Sequence, residues 1–143
     1  MSQNSRRAAY AEYADRCKEN LDHVRLIYVE VALTLSLGEG ESAESLAELL
    51  GSWRDPVQDI VTCESAVVAE GPERVADSAS GASRALARFG TVVLESIESG
   101  DAVRAQKVQV AKETYGVTYK AYLDFLYDAA ECLGDEEFLR IRS

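Results

Sequence analysis

The stretch Asp101–Leu133, DAVRAQKVQVAKETYGVTYKAYLDFLYDAAECL, decides the fold class. At seven-residue spacing Val108, Tyr115, Tyr122 and Ala129 alternate with Ala111, Thr118, Phe125 and Cys132, while Tyr119, Leu126 and Leu133 widen the stripe. Apolar side chains at alternating steps of three and four fall on one side of an α-helix, so the stretch is one long helix with a packing face. Gly100 and Asp101 punctuate its start, Gly134 and Asp135 its end, and Phe138, Leu139 and Ile141 predict a final short turn of helix.

Such a face needs other helices to cover it, and the chain upstream supplies them. From about Ser5 to Leu37 the positions Tyr10, Ala14, Cys17, Leu21, Val24, Tyr28, Val31 and Leu35 keep the same spacing until Gly38 stops the helix. Its other face interleaves Glu12, Asp15, Glu19 and Asp22 with Arg16, Lys18 and Arg25, the pattern of a solvated face laced by i,i+4 pairs. His23, the one histidine, sits four residues after Glu19 and reads as a member of that face. A further helix from Pro72 to Ser99 carries Val75, Ala79, Ala82, Leu86, Phe89, Val93 and Ile97. Its run of small residues, Ser78 to Ser83, marks a close approach of a neighbour or a kink.

Two shorter helices fill the interval. Ser42 is a plausible cap for the first, with Leu46, Leu49 and Leu50 on one side and Gly51 at its end. Asp55 as cap, Pro56 in the first turn and Gln58 as its capping-box partner start the second, which runs to about Glu70 before Gly71 and Pro72. No segment has the period of a strand. The expected architecture is therefore all-α, one domain over residues 1–143: an antiparallel four-helix bundle with a second helix broken around Trp53 to Pro56, and a short C-terminal helix. All seven tyrosines lie on the first and last long helices, antiparallel neighbours in such a bundle. Tyr28 should then lie level with Tyr115, and Tyr10 near Phe125 to Leu133.

The 143 residues carry 25 acidic and 15 basic side chains, a formal net charge of -10. That balance repels nucleic acid and anionic membrane, so neither is expected as a partner, and it favours cationic proteins. The charge is local: Glu39 to Glu73 hold nine acidic groups against Arg54 alone. Cys17, Cys63 and Cys132 are odd in number and beside apolar faces, which reads as reduced buried thiols and a cytoplasmic setting. No secretory leader pattern is present. Leu26 to Leu37, the most apolar run, is too short to span a bilayer, contains Glu30, and reads as a buried helix end.

Few residues offer chemistry. Glu64 stands between Ile60 and Val68 on an apolar stripe, where a carboxylate is expected to have a raised pKa in a bundle cavity facing tyrosine hydroxyls, unless it reaches water or an arginine such as Arg84 or Arg88. With Tyr28, Tyr115, Tyr119 and Tyr122 it forms the candidate binding set, against the commoner role of such tyrosines as core or subunit interface. No Glu-x-x-His pair for a metal bundle occurs, and no metal or cofactor is expected. Asp124, Asp128 and Glu131 share a helix face, as do Glu44 and Glu48, which leaves a magnesium-dependent phosphohydrolase as an alternative. Leu46, Ala47, Leu50, Gly51, Val57 and Ile60 resemble the helix-turn-helix family, which implies a regulator, but Asp55, Asp59 and Glu64 crowd the would-be recognition helix where phosphate contact wants Lys or Arg.

The leading expectation is a non-enzymatic interaction protein. It would form a homodimer through exposed parts of its long helices and present an acidic surface, including Glu44, Glu48, Asp55 and Asp59, to a basic protein partner that it restrains, in the manner of an inhibitor or immunity protein.

Overall fold

In the computed structural model, which describes residues 3–143, the helices are α1 (Gln3–Thr34), α2 (Glu39–Ser52), α3 (Val61–Glu70), α4 (Glu73–Glu98), α5 (Asp101–Leu133) and α6 (Glu136–Arg142). Contacts between their ends fix the topology. Ser5 and Tyr10 near the start of α1 donate to Glu70 (2.6 Å) and to the Gly71 carbonyl at the end of α3, so α2 and α3 return along α1. Arg74 at the start of α4 holds Asp128 and Glu131 near the end of α5, at 2.7 and 2.8 Å. Arg104 at the start of α5 holds the Ser96 carbonyl at the end of α4. The result is the antiparallel four-helix bundle with α2 and α3 together as one leg.

The helical stripes became the core. Tyr10, Tyr13, Leu21, Val24, Val31, Ile60, Val67, Leu86, Phe89, Phe125 and Leu126 are all buried between the four legs. Tyr10 packs edge-on to Phe125 at 6.2 Å and its hydroxyl reaches Cys132 at 3.7 Å, while Tyr28 and Tyr115 both lie against Phe89 at 6.4 and 5.6 Å. The expected levels of both tyrosine pairs hold. The small residues of α4 serve close approach, not a kink: α4 is one continuous helix, with Ser78 bonded to Asp128, Ser80 to Glu64, and Ser83 to Tyr13. At the far end of α5, Gly134 takes the left-handed conformation that closes a helix, and Asp135 caps α6 by accepting from Glu137 N at 3.1 Å. α6 then lies back on α1 and α5, with Phe138 buried and Arg142 reaching Asp15 at 3.1 Å.

Three local expectations need correction. α1 stops at Thr34, so Leu35 falls outside the helix and is exposed. Ser42 is not a cap; Gly38 holds that position and Ser42 is buried one turn inside α2. α3 begins at Val61 and not at Pro56. Asp55 does accept from Val57 N at 3.0 Å, but the chain then makes a separate turn, Ile60 N to Val57 O at 3.1 Å, before the helix starts. The reason lies on α4. Pro56 is buried over Gly90, where a Cβ would meet its Cγ at 2.7 Å and Trp53 at 3.8 Å, so the broken corner is docked on a notch in the facing helix.

That notch yields a paired prediction. Alanine in place of a mid-helix glycine adds up to ~1 kcal/mol of helix propensity, which Gly116→Ala should realise because nothing lies within 4 Å of its Cβ position. Gly90→Ala should instead lose about 1 kcal/mol net, the overpacking cost exceeding the propensity gain. Urea denaturation of the two variants should shift in opposite directions.

Arg104 is buried at the α4–α5 corner, its Nε donating to Ser96 O at 2.9 Å, Nη1 to Asp101 at 2.6 Å, and Nη2 to Ser99 O. The last carbonyls of α4 have no partner within their own helix, and a cation there faces the negative end of the helix dipole. Arg104→Met should lower stability by about 2 kcal/mol, with hydrogen exchange at residues 96–104 accelerating first.

Candidate interaction surface

Ser42, Leu46 and Leu49 form the buried side of α2. At 100° per residue Glu41, Glu44 and Glu48 must then point away from the bundle, and all three are exposed, as are Glu39, Asp55, Asp59 and Glu73. Glu64 and Glu70 are half-buried. Elsewhere Asp15, Asp22, Glu95, Asp128 and Asp135 each hold a cation, and Arg7 keeps the Asp135 carboxyl below the usual carboxylate range. Among the described residues, no carboxylate from Glu39 to Glu73 is in an ion pair. The structure brings Glu44 and Glu48 together on one outward face, while Asp55 and Asp59 lie beyond them on the connecting turn.

The neighbouring half of α1 corrects another expectation. Leu26 and Leu33 are each 63% exposed, and Val29 and Leu37 are exposed beside them. The run is buried only on its Ile27, Val31 and Thr34 side. Its outward positions, spaced three or four apart, continue the face that carries Glu12, Asp15, Glu19 and Asp22 in the first half of the helix. That switch from charged to apolar on a single outward face was readable in the sequence, but a stripe pattern does not say which of two apolar sides the bundle covers.

The candidate tyrosines do come together. Rings run in series from Phe89 to Tyr115 (5.6 Å), Tyr119 (6.1 Å) and Tyr122 (6.2 Å), with Tyr28 also against Phe89. Arg25 lies over Tyr115 at 5.6 Å and Lys18 over Tyr119 at 6.0 Å, so cations of α1 cover the outer rims of the series. Tyr122 donates to the Arg142 carbonyl at 3.1 Å, and burial pushes its phenol far above the ordinary value. The small space beside it, lined by Cys17, Leu21, Ala82, Leu86, Thr118 and Tyr122, measures about 10 Å³, room for one water. Glu64 stands apart from this series: Ser80 on α4 donates to it at 3.3 Å, and it pairs with neither Arg84 nor Arg88.

His23 is half-buried, its Nε2 has no hydrogen-bond partner among the described residues, and burial with the nearby Arg54 charge lowers its pKa. It faces the α2–α3 connection and is not the solvated partner of Glu19. The carboxylates considered for magnesium are engaged by cations, Asp124 by Lys120 and Asp128 with Glu131 by Arg74, and no cluster of three metal-ligating side chains occurs among the described residues. An open cleft of about 1040 Å³ between α5 and α6 is lined by Tyr127, Glu131, Asp135, Glu136, Glu137 and Arg140, and three of its four acidic side chains, all but Glu136, are in ion pairs. In the stretch that resembles a helix-turn-helix, Gly51 is inside α2 and Val57 in the connecting turn, so eight residues, 53–60, separate the two helices where that motif has a tight turn of three or four. No protein-family model, no curated protein and no solved structure matches the chain, so its surface and its packing are the grounds on which its function has to be argued.

Proposed function

We propose that the chain is a non-enzymatic interaction protein that binds a basic protein partner through the α2–α3 leg and self-associates through another face. The observation that carries this reading is that none of the nine carboxylates from Glu39 to Glu73 is in an ion pair among the described residues, whereas nine of the sixteen elsewhere in the chain are. Unpaired surface charges of one sign add to a field that speeds encounter with a positive patch and disfavours wrong partners. A basic nuclease or toxin held inactive in this way is the partner class the reading favours, since such an inhibitor needs no catalytic group of its own. Self-association is supported by Val103, Val110 and Val117, exposed at seven-residue spacing along α5, away from the acidic leg.

The test is affinity capture with wild type and with a Glu44→Lys, Glu48→Lys, Asp59→Lys variant. All three side chains are exposed, so the fold should persist with ordinary melting behaviour. Loss of one basic protein from the variant's capture, with loss of the wild-type interaction as salt rises, is the expected result. Capture unaffected by the reversal would end the acidic-surface reading. Sedimentation of a strict monomer at high concentration would end the claim of self-association.

A further inference from the structure

The outward face of the second half of α1, with the link that follows it to Leu37, is not explained by the bundle. Leu26, Val29 and Leu33 make a stripe one helix face wide and about 10 Å long, and Leu37 is exposed just beyond it in the link to α2. Leu35 just beyond the helix and Leu50 on α2 are exposed too, so six of the exposed large apolar side chains belong to the α1–α2 hairpin. Contiguous exposed apolar surface of this kind marks a contact site.

Its electrostatic surroundings say what kind of molecule fits. Residues 26–53 contain Glu30, Glu39, Glu41, Glu44 and Glu48 and no Lys, Arg or His. The cation before this stretch, Arg25, is drawn over the Tyr115 ring, and the one after it, Arg54, lies past the end of α2. All five carboxylates are exposed and none is in an ion pair among the described residues. A second copy of this chain would bring an identical cation-free, acidic hairpin onto the first, with like charges opposed around the apolar centre. An anionic lipid surface would meet the same repulsion. A segment that is apolar on one side and carries Lys or Arg at its margins meets none.

We infer that the α1–α2 hairpin docks a cationic amphipathic helix of a partner protein, with Leu26, Val29, Leu33 and Leu37 as the apolar seat and Glu30, Glu39, Glu41, Glu44 and Glu48 as the charged rim. A helix laid along α1 places its own residues at i, i+3 or i+4, and i+7 against the leucines, and its flanking ammonium or guanidinium groups against the carboxylates. The apolar seat supplies residence time and the rim supplies steering and orientation. This rests on the proposed basic partner and adds where it binds and what shape it presents.

The experiment uses the full chain and two labelled synthetic peptides of leucine and lysine with identical composition. In one the leucines repeat at three and four to form a helix face; in the other the order is scrambled so that no face exists. Fluorescence anisotropy should show the amphipathic peptide binding at least about tenfold more tightly than its isomer. Leu26→Ser with Leu33→Ser should erase that preference, while Glu44→Lys with Glu48→Lys should weaken both peptides alike. Equal binding of the two peptides, unchanged by the leucine substitutions, would overturn the apolar seat while leaving an acidic binding surface intact. No binding of either peptide would remove both. A wild-type dimer that Leu33→Asp converts to monomer in sedimentation would give the seat to a second copy, and the inference would fall.

Discussion

Phe125→Ala should unfold at far lower urea concentration than the parent, with a loss of about 3–5 kcal/mol. Phe125 is wholly buried, and its ring meets the Tyr13 ring edge-on at 4.8 Å and the Tyr10 ring at 6.2 Å. Both tyrosines are anchored elsewhere through their hydroxyls: Tyr10 donates to the Gly71 carbonyl, and Tyr13 to the Ala79 carbonyl at 2.5 Å. They are therefore poorly placed to collapse into the space a missing ring would leave, which puts the cost toward the cavity-dominated end. Domains of this size have total stabilities of roughly 5–15 kcal/mol, so one ring accounts for a large share. Tyr127→Ala, two residues on but 59% exposed, should change stability by less than about 0.5 kcal/mol. Similar losses at the two positions would mean that Phe125 is not the centre of the α1–α4–α5 packing.

Raising the pH should destabilise the protein from about pH 9 upward, where the carboxylates are already ionised and the arginines still keep their protons. Burial pushes the Cys17 thiol from 9.0 up to about 12, and burial together with the adjacent Cys17 pushes the Tyr13 phenol far above its ordinary 10.0. The unfolded chain releases these protons at their ordinary values while the folded chain retains them. Above pH 9 the unfolded state therefore binds fewer protons, and stability must fall as pH rises. Each such group contributes a slope of about 1.4 kcal/mol per pH unit between its unfolded and folded values, first Cys17 and then Tyr13, a few kcal/mol in all near pH 11. Below pH 9 both are protonated in both states and contribute no slope. Urea midpoints measured across that range should fall steadily, and Cys17→Ala should reduce the part of the slope that begins first, which the Cys63 thiol, also raised by burial, shares. A flat profile to pH 11 would show that neither group is shielded from water in the folded chain.

The periodicity of the sequence was enough for the number of helices, their limits to within a few residues in most cases, and the pairing of α1 with α5. A stripe of three-and-four spacing has only one physical use in a water-soluble helix, and short links leave neighbouring helices antiparallel. Tyr10 near Cys132 and Tyr28 at the level of Tyr115 follow from those two facts, while the Phe89 ring that both Tyr28 and Tyr115 meet comes from α4. The acidic surface was equally legible, because formal charge is additive along the chain and residues such as Glu44 and Glu48 have no apolar side to hide.

Other features exist only once the helices are packed. The start of α3 depends on Pro56 seating over Gly90, more than thirty positions later in sequence, so the local capping signal at Asp55 produced a turn and deferred the helix to Val61. Arg104 looks like an ordinary surface charge in sequence, yet it is buried because α4 ends beside it with carbonyls in need of donors. The first half of α1 has one apolar side and the second half has two, and in the second half composition leaves the choice of core open. Three legs of the bundle cover the side of Tyr28 and Val31, and Leu26, Val29, Leu33 and Leu37 face outward. The sequence alone determined an acidic, helical, self-packing chain, because helix period and charge are local properties. Which apolar face was left exposed was decided by tertiary packing, because burial is a property of neighbours that no single helix carries.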